Sequence, residues 1–144
     1  MNLLKIARVP APAVDPDASV LEAVEKMVEV GVGAVLVVAD DKLKGIFTER
    51  DVVRRVAAKR LPLETTKLSE VMSAPVQFVR ADTNPSEALS VMVANHFRHL
   101  PIVDEELRVQ GILSCRHLLQ RMVDDLSDEL RALDAYVSAD GIGG

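Results

Sequence analysis

The sequence predicts a mixed α/β (α+β) fold made of two tandem β-α-β-β-α repeats, because it contains an internal repeat. Residues 22–51 and 87–117 run in parallel, at an offset of 65 residues before the strand pair and 66 residues after it. In the clearest match, Gly45-Ile46-Phe47-Thr48 corresponds to Gly111-Ile112-Leu113-Ser114. This period is too long for a solenoid repeat and too short for two large domains. It predicts two half-domains that pack through their sheets about a pseudo-twofold axis.

Each repeat contains one helix with a clear start signal. Ser19 and Glu22 have the spacing of a capping box, and Asn84 is a cap residue followed by Pro85 at the first helical position. Apolar residues then recur at helical spacing in both copies. We therefore expect a helix after each cap.

Short apolar strands follow these two helices. Residues 35–38 and 100–103 are apolar throughout, which is typical of strands that are buried on both faces. Acidic turns lead into second strands at 43–47 and 108–113, and each repeat is expected to open with one further strand. Residues 60–73 are expected to form a linker that includes a short helical turn.

The C-terminal segment predicts a long helix with an apolar stripe. The spacing alternates steps of four and three, which is heptad spacing over about two and a half heptads. Two interpretations stay open: the stripe packs on the chain's own sheets, or it forms the interface of a homodimer. The stripe consists of Leu119, Val123, Leu126, Leu130, Leu133 and Val137.

These patterns divide the chain into four parts within one compact module. The first repeat is expected at 1–62 and the second at 63–122. A helical extension is expected at 123–138 and a flexible tail at 139–144.

Composition restricts the function classes. Only 3% of the 144 residues are aromatic and the net charge is −5, which disfavours a nucleic-acid partner. No apolar run is long enough to cross a membrane, and the first residues lack a signal-peptide pattern. The single Cys115 is compatible with a reducing compartment, so a cytoplasmic protein is expected.

Polar chemistry concentrates where the last strand of each repeat meets its last helix. Thr48 and Asp51 have the spacing of a capping box, so simple helix capping is one interpretation. The other is an anion site, because the free N–H groups of a helix start bind anions. The glycine, the hydroxyl and a following arginine recur in both repeats, and capping requires neither the glycine nor the arginine.

The pattern Gly-hydrophobic-x-Thr/Ser-x-x-Asp after a strand, in a tandem repeat of this length, resembles a CBS domain pair (Bateman module) of the stand-alone bacterial and archaeal type. The resemblance covers residues 6 to 120. Met72-Ser73-Ala74-Pro75-Val76 resembles the opening of a repeat, and residues 98–104 resemble its middle.

This resemblance implies a regulatory module that binds an adenosine compound (AMP, ADP, ATP, NAD or S-adenosylmethionine) between the repeats and signals to an effector protein. CBS pairs commonly associate in twos, so a homodimer is implied as well. The alternative is a structural or dimerisation module whose ligand sites have degenerated. Asp51 would accept hydrogen bonds from a ribose diol, and Thr48 would donate to the ribose or phosphate. The full set of expected binding residues is Ile46, Thr48, Arg50, Asp51, Val76, Arg98, His99, Pro101, Ile112, Ser114, Arg116 and His117.

Within this set the residues have different expected roles. Ile46, Ile112 and the backbone around Val76 would flank an adenine ring. The phosphate charge would be met by Arg50, Arg98, His99 and Arg116.

The two sites are not expected to be equal. His117 stands where the family pattern has aspartate, and Gly33-Ala34 stands in the first repeat where the second has Arg98-His99. We expect one good ribose site at Thr48 and Asp51. For the second, weak binding, preference for a phosphate and an empty site all stay open.

No enzyme or metal chemistry is expected. His96, His99, Cys115 and His117 lack the paired spacing of a metal site. Cys115 has no evident base to activate it. Glu49 and Asp51 do not form a glycosidase pair, because nothing else builds a sugar cleft.

Overall fold

The structure is a computed structural model that describes residues 2–138. Within this range the strands form a three-stranded sheet and a two-stranded sheet. The first repeat and its linker contain, in chain order, a 3-10 turn Leu3–Lys5, β1 Ala13–Val14, α1 Val20–Val30, β2 Ala34–Ala39, β3 Lys42–Thr48, α2 Glu49–Asp51, a π-helical segment Val52–Ala57 and α3 Leu68–Val71. The second repeat contains α4 Pro85–Asn95, β4 His99–Val103, β5 Val109–Ser114 and α5 Cys115–Val137.

The predicted α/β fold with tandem repeats and an extended C-terminal helix is confirmed, with one difference in detail. β1 pairs in parallel with β2. At the equivalent place in the second repeat, Val79 makes only an isolated parallel bridge to Ile102. The next residue in register with β4 would be Ala81, and its carbonyl accepts instead from the Leu3 N–H at 2.8 Å. The chain therefore turns away before a ladder extends.

Both predicted helix starts are confirmed by their caps. The Ser19 hydroxyl accepts a hydrogen bond from the Glu22 N–H at 3.1 Å. Asn84 accepts from the Ser86 N–H at 2.8 Å. α1 ends at Gly31, whose φ of 78° is left-handed, and glycine adopts this conformation without a steric penalty.

The turns within the two strand pairs differ in length. Asp40 and Asp41 form a two-residue turn between β2 and β3, with φ angles of 53° and 63°, as a tight hairpin requires. The turn between β4 and β5 is longer, and the Asp104 carboxylate accepts hydrogen bonds from the N–H groups of Glu106 and Arg108. This longer turn accounts for the change in repeat offset from 65 to 66 residues.

Each repeat has its own apolar core, and a third core joins the sheets. Phe47 is fully buried among side chains of α1 in the first core. Leu113 is fully buried in the second. The third core places Ala34 and Leu36 of β2 against Ile112 of β5. This is the predicted packing of the repeats through their sheets.

Each core is completed by a segment from the other side of the expected division at residue 62. Leu3 is fully buried in the second core, and its N–H donates to the Ala81 carbonyl at 2.8 Å. Leu68 and Val71 of α3 are buried in the first core. The linker and the N-terminal turn thus cross between the repeats. The expected division of the chain into segments stays a prediction.

α5 leaves its apolar stripe on the surface. Leu118 is buried, whereas the exposed fraction of the stripe runs from 43% at Leu119 to 66% at Leu130. The interpretation that the stripe packs on the chain's own sheets is therefore wrong. The expected tail at 139–144 lies outside the described residues. None of the described helices, including the 23-residue α5, is apolar enough over a sufficient length to cross a bilayer.

Candidate functional site

A cavity of about 480 Å³ lies where the first repeat, the linker and the second repeat meet. It is lined by the end of β3 and the helix after it, by residues 73–77 of the linker, and by the loop 96–99 that leads into β4. We call it the first cavity. Seven of the expected binding residues line it: Ile46, Thr48, Arg50, Asp51, Val76, Arg98 and His99.

Thr48 and Asp51 form the capping box that their spacing predicts. The Asp51 N–H donates to the Thr48 hydroxyl oxygen at 3.3 Å, and Asp51 Oδ2 accepts from the Thr48 N–H at 3.0 Å. The capping interpretation is therefore confirmed. It does not compete with the ligand interpretation, because the same two side chains also face the cavity.

The second oxygen of Asp51 is held more loosely. Asp51 is only 7% exposed, and its Oδ1 receives the Ser73 hydroxyl at 3.4 Å and Arg55 Nε at 3.5 Å. Both contacts are longer than an ordinary hydrogen bond to a carboxylate. A ligand hydroxyl at normal distance has room to replace either donor.

Arg55 and Ser73 were not among the expected site residues. Arg55 Nη1 also donates to the Met72 carbonyl at 2.9 Å, so this arginine ties the linker to the helix that carries Asp51. Its position four residues after Asp51 was the available sequence signal. Ser73 carried no such signal, because only the folded linker brings it to Asp51.

The recurring glycine has a packing role. Ile46 and Ser73 exchange backbone hydrogen bonds of 3.1 and 2.9 Å, which lays the linker directly across β3. A Cβ on Gly45 would lie 2.5 Å from the sulfur of Met72 and 3.1 Å from the Ser73 carbonyl oxygen. Close approach of two backbones therefore explains the glycine that capping does not require.

The lining of the first cavity is rich in positive charge. Two of its arginines, Arg50 and Arg98, were expected, and Arg54 and Arg55 were not. Phe97, at the entrance to β4, is a further lining residue that the sequence did not single out. The carboxylates in the lining are Glu49 and Asp51. The cavity therefore carries four arginines against two carboxylates on a chain whose net charge is −5.

The surroundings of His99 disfavour its protonated form. Burial lowers the pKa of His99 below its ordinary value of 6.5. Glu49 opposes this effect, and the nearby Arg98 and His117 add to it. An anion bound beside His99 would favour the protonated ring.

A second cavity of about 610 Å³ lies beside the start of α5 and shares Arg98 and His99 with the first. Among the other expected residues, it is lined by Ser114 and Arg116. Ser114 precedes α5 without a side-chain capping bond. The remaining lining residues are Cys115, Leu119, Gln120 and Val123.

Three expected residues lie outside the linings of these two cavities. His117 is exposed on the first turn of α5. Pro101 is opposite Ile112 in the β4–β5 pair, and both are buried. Among residues 2–138, moreover, no three His, Cys, Asp or Glu side chains cluster closely enough to hold a metal ion.

Comparison with known proteins identifies both repeats. The family model described as the CBS domain matches residues 5–58 and residues 68–124. An uncharacterised 17.7 kDa protein of Acidianus ambivalens is 31% identical over 121 residues, which is 83% of this chain and 72% of that protein. A CBS domain-containing protein of Arabidopsis thaliana is 36% identical over 110 residues, but the match covers 76% of this chain and only 20% of that longer protein.

Solved structures share the fold. The crystal structure of a CBS domain protein, NE2398, superposes with a TM-score of 0.77 at 30% identity, covering 85% of this chain and 98% of that one. The structure of the protein CBSX2 in complex with AMP superposes with a TM-score of 0.71 at 23% identity, covering 85% and 96%. At that identity the second likeness concerns the fold alone.

Proposed function

The chain belongs to the CBS domain family, and we propose that its first cavity binds an adenosine nucleotide as a regulatory signal. The observation that carries this proposal is the position of the Asp51 carboxylate, buried at one side of a cavity with four arginines in its lining. A carboxylate recognises the hydroxyls of a ribose, and arginines recognise phosphate. One cavity therefore offers complementary chemistry to both polar parts of a nucleotide.

The size and lining of the cavity support this assignment. A volume of about 480 Å³ lies within the usual range for small-molecule sites. Ile46, Val76 and Phe97 supply apolar surface for a base, and Phe97 is 40% exposed. AMP is the first candidate to test, because CBSX2, which shares the fold, was solved in complex with it. ADP, ATP, NAD and S-adenosylmethionine are the competing adenosine compounds.

We assign a regulatory rather than a catalytic role. Asp51 already receives four donors, from Thr48 N–H and hydroxyl, from Ser73 and from Arg55. Two of these donors, Ser73 and Arg55, make long contacts that ligand hydroxyls can replace, so the carboxylate is arranged to hold a ligand. Ligand binding would then change the packing between linker and repeats, and an effector protein of unknown identity would read that change. We expect this to take place in the cytoplasm.

The test is a thermal-shift and calorimetric titration with AMP, ADP, ATP, NAD and S-adenosylmethionine. A ligand at a hundredfold excess over its Kd stabilises the folded state by about 2.7 kcal/mol. We expect AMP to raise the unfolding midpoint and Asp51→Ala to abolish the rise. Ser19→Ala is the matched control, because it removes a helix cap at a cost of about 1 kcal/mol but lies outside the lining of the first cavity.

A second candidate function is a structural or dimerisation module with degenerate ligand sites. It is favoured by one observation, namely that the capping box alone accounts for Thr48 and Asp51 as helix-start residues. Under this function Asp51→Ala costs stability as Ser19→Ala does, and none of the five compounds shifts the midpoint at millimolar concentration. That result would overturn the nucleotide proposal.

A further inference from the structure

We propose that α5 pairs in antiparallel orientation with α5 of a second copy of this chain, and that the end of the partner's helix covers the second cavity. The twofold axis of the pair crosses the two helices at the level of Asp128. The pairing concerns a different surface from the first cavity, so it stands or fails independently of nucleotide binding.

The exposed stripe is self-complementary in this arrangement. From Leu119 to Val137 it extends over about 27 Å of helix. Centred on Asp128, Leu126 meets the partner's Leu130 and Val123 meets the partner's Leu133, while Leu119 meets the partner's Val137. Each layer is made of two aliphatic side chains that are at least 43% exposed in the single chain. Such layers are the contacts that a two-stranded coiled coil requires.

The distribution of charge along α5 favours antiparallel over parallel pairing. Its first nine residues, 115–123, contain two arginines and no carboxylate. Residues 124–137 contain five carboxylates and one arginine. Helix dipoles add to this asymmetry, with the negative end at the C-terminus. Parallel pairing would place like ends side by side, whereas antiparallel pairing places the basic start of each helix beside the acidic end of the other.

The residues that flank the stripe lead to the same orientation. In a parallel pair, Glu129 would face the partner's Asp134 on both sides of the interface. In the antiparallel pair, Gln120 faces the partner's Asp134 and Met122 faces the partner's Tyr136. The single unfavourable contact is Glu129 with its own copy near the twofold axis.

The same geometry brings the partner onto the second cavity. Leu119 and Val123 line this cavity. In the antiparallel pair, Leu119 contacts the partner's Val137 and Val123 contacts the partner's Leu133. The helix end that arrives there has no basic residue in its last turn, while the cavity carries Arg98 and Arg116. Since fewer than three heptads form a marginal coiled coil by themselves, this contact adds stability to the pair. The second cavity thereby becomes a site shared between two subunits.

The first experiment measures the molar mass of the full chain in solution by light scattering and sedimentation. We expect a dimer at tens of micromolar concentration and a weakening of at least tenfold in Leu130→Glu. Leu130 is 66% exposed, so the variant should fold, which its unfolding curve will verify. Ala135→Glu places the same charge on the opposite face of α5 and should remain dimeric. A monomeric parent chain, or equal weakening by both variants, would overturn the proposal.

Disulfide formation tests the orientation, in a Cys115→Ser background because Cys115 is the chain's only cysteine. Leu133→Cys and Val123→Cys should not cross-link when each is oxidised alone, since an antiparallel pair separates either residue from its copy by about 15 Å along the axis. An equimolar mixture, unfolded and refolded together, should cross-link. Cross-linking of Leu133→Cys or Val123→Cys when oxidised alone would establish a parallel pair and overturn the orientation.

The reaction rate of Cys115 with a thiol reagent tests whether the partner covers the second cavity. Cys115 lines this cavity and is partly accessible in the single chain. We expect its labelling to be at least threefold faster in monomeric Leu130→Glu than in the parent dimer, and unchanged in Ala135→Glu. Equal rates in monomer and dimer would contradict coverage of the cavity even where the helices pair.

Discussion

The start of the helix after β3 and the start of the helix after β5 make similar main-chain contacts but carry different side chains. The Glu49 N–H donates to the Gly33 carbonyl at 3.0 Å, and the Cys115 N–H donates to the Arg98 carbonyl at 2.8 Å. A segment that is distant in sequence also lies across each of the two strands, β3 and β5. Ile46 bridges to Ser73, and Ile112 bridges to Arg8. The repeat therefore preserves main-chain contacts with little regard to side-chain identity.

The two helix starts differ most at the third residue after the hydroxyl, which is Asp51 in the first repeat and His117 in the second. Asp51 is buried, accepts hydrogen bonds within a capping box and faces the first cavity. Its counterpart His117 is exposed, and Ser114 makes no capping bond. A duplicated scaffold thus supplies two similar helix starts, and a single position in each copy determines which of them carries the carboxylate. Four predictions test this comparison, from the largest expected effect to the smallest.

Alanine at Gly45 or Gly111 should destabilise the fold, because a segment of backbone lies directly across each of these glycines. A Cβ on Gly111 would lie 3.0 Å from the Arg8 carbonyl oxygen and a Cβ on Gly45 3.1 Å from the Ser73 carbonyl oxygen, and neither backbone atom can rotate away. We expect Gly111→Ala and Gly45→Ala each to cost about 1–3 kcal/mol. The free energy of unfolding in urea measures both.

Gly33→Ala is the control for this pair. Its Cβ would meet only the movable Glu49 side chain at 3.3 Å, and its φ is not left-handed. We expect a change close to zero. Equal losses at Gly33 and Gly111 would show that backbone freedom, not close approach, explains the glycines.

Removing one arginine from each cavity should separate their ligand roles. Arg98 lines both cavities and Arg116 only the second. Arg98→Gln should weaken AMP relative to adenosine by about threefold to tenfold, because an exposed charge contributes modestly to binding. Arg116→Gln should leave this ratio unchanged in a calorimetric titration. If Arg116→Gln also lowers the affinity for AMP relative to that for adenosine, the phosphate lies near the second cavity instead.

His117→Asp should give the second helix start the carboxylate that the first one has. The new side chain would lie three residues after Ser114, in the first turn of a helix that has no acidic residue there. A capping box and a favourable interaction with the helix dipole should raise the free energy of unfolding by about 1 kcal/mol. His117→Asn, of similar size without the charge, should stabilise less. Loss of stability in His117→Asp would show that the two helix starts are not equivalent.

Acidification should produce the smallest effect, through His99. Since burial lowers the pKa of His99, the unfolded chain takes up a proton near pH 6.5, whereas the folded chain takes it up only at a lower pH. Stability contributed by neutral His99 is therefore present above pH 6.5 and falls as the pH is lowered towards the folded-state pKa. The free energy of unfolding between pH 7.5 and 5.5 should decline less steeply in His99→Gln. Parallel curves for the two proteins would contradict a buried neutral ring.

Local sequence signals predicted much of the fold and part of the site. The caps at Ser19 and Asn84 act within a few residues, so the helix starts were readable. The capping box of Thr48 and Asp51 was readable for the same reason. The strand expected before α4 was not found in full, because the Ala81 carbonyl bonds to the distant N-terminal turn, a contact that no periodicity reveals.

By itself the sequence determined the duplication, the element order and the residue types available at each helix start, because these depend on contacts over a few positions. Only the tertiary structure decided that Ser73 reaches Asp51, and that each core includes a segment from the other side of the expected division at residue 62. It also decided that the stripe on α5 stays exposed, since a heptad pattern records which residues share a face and not what covers it. Contacts between distant segments depend on the course of the whole chain, which a local pattern does not encode.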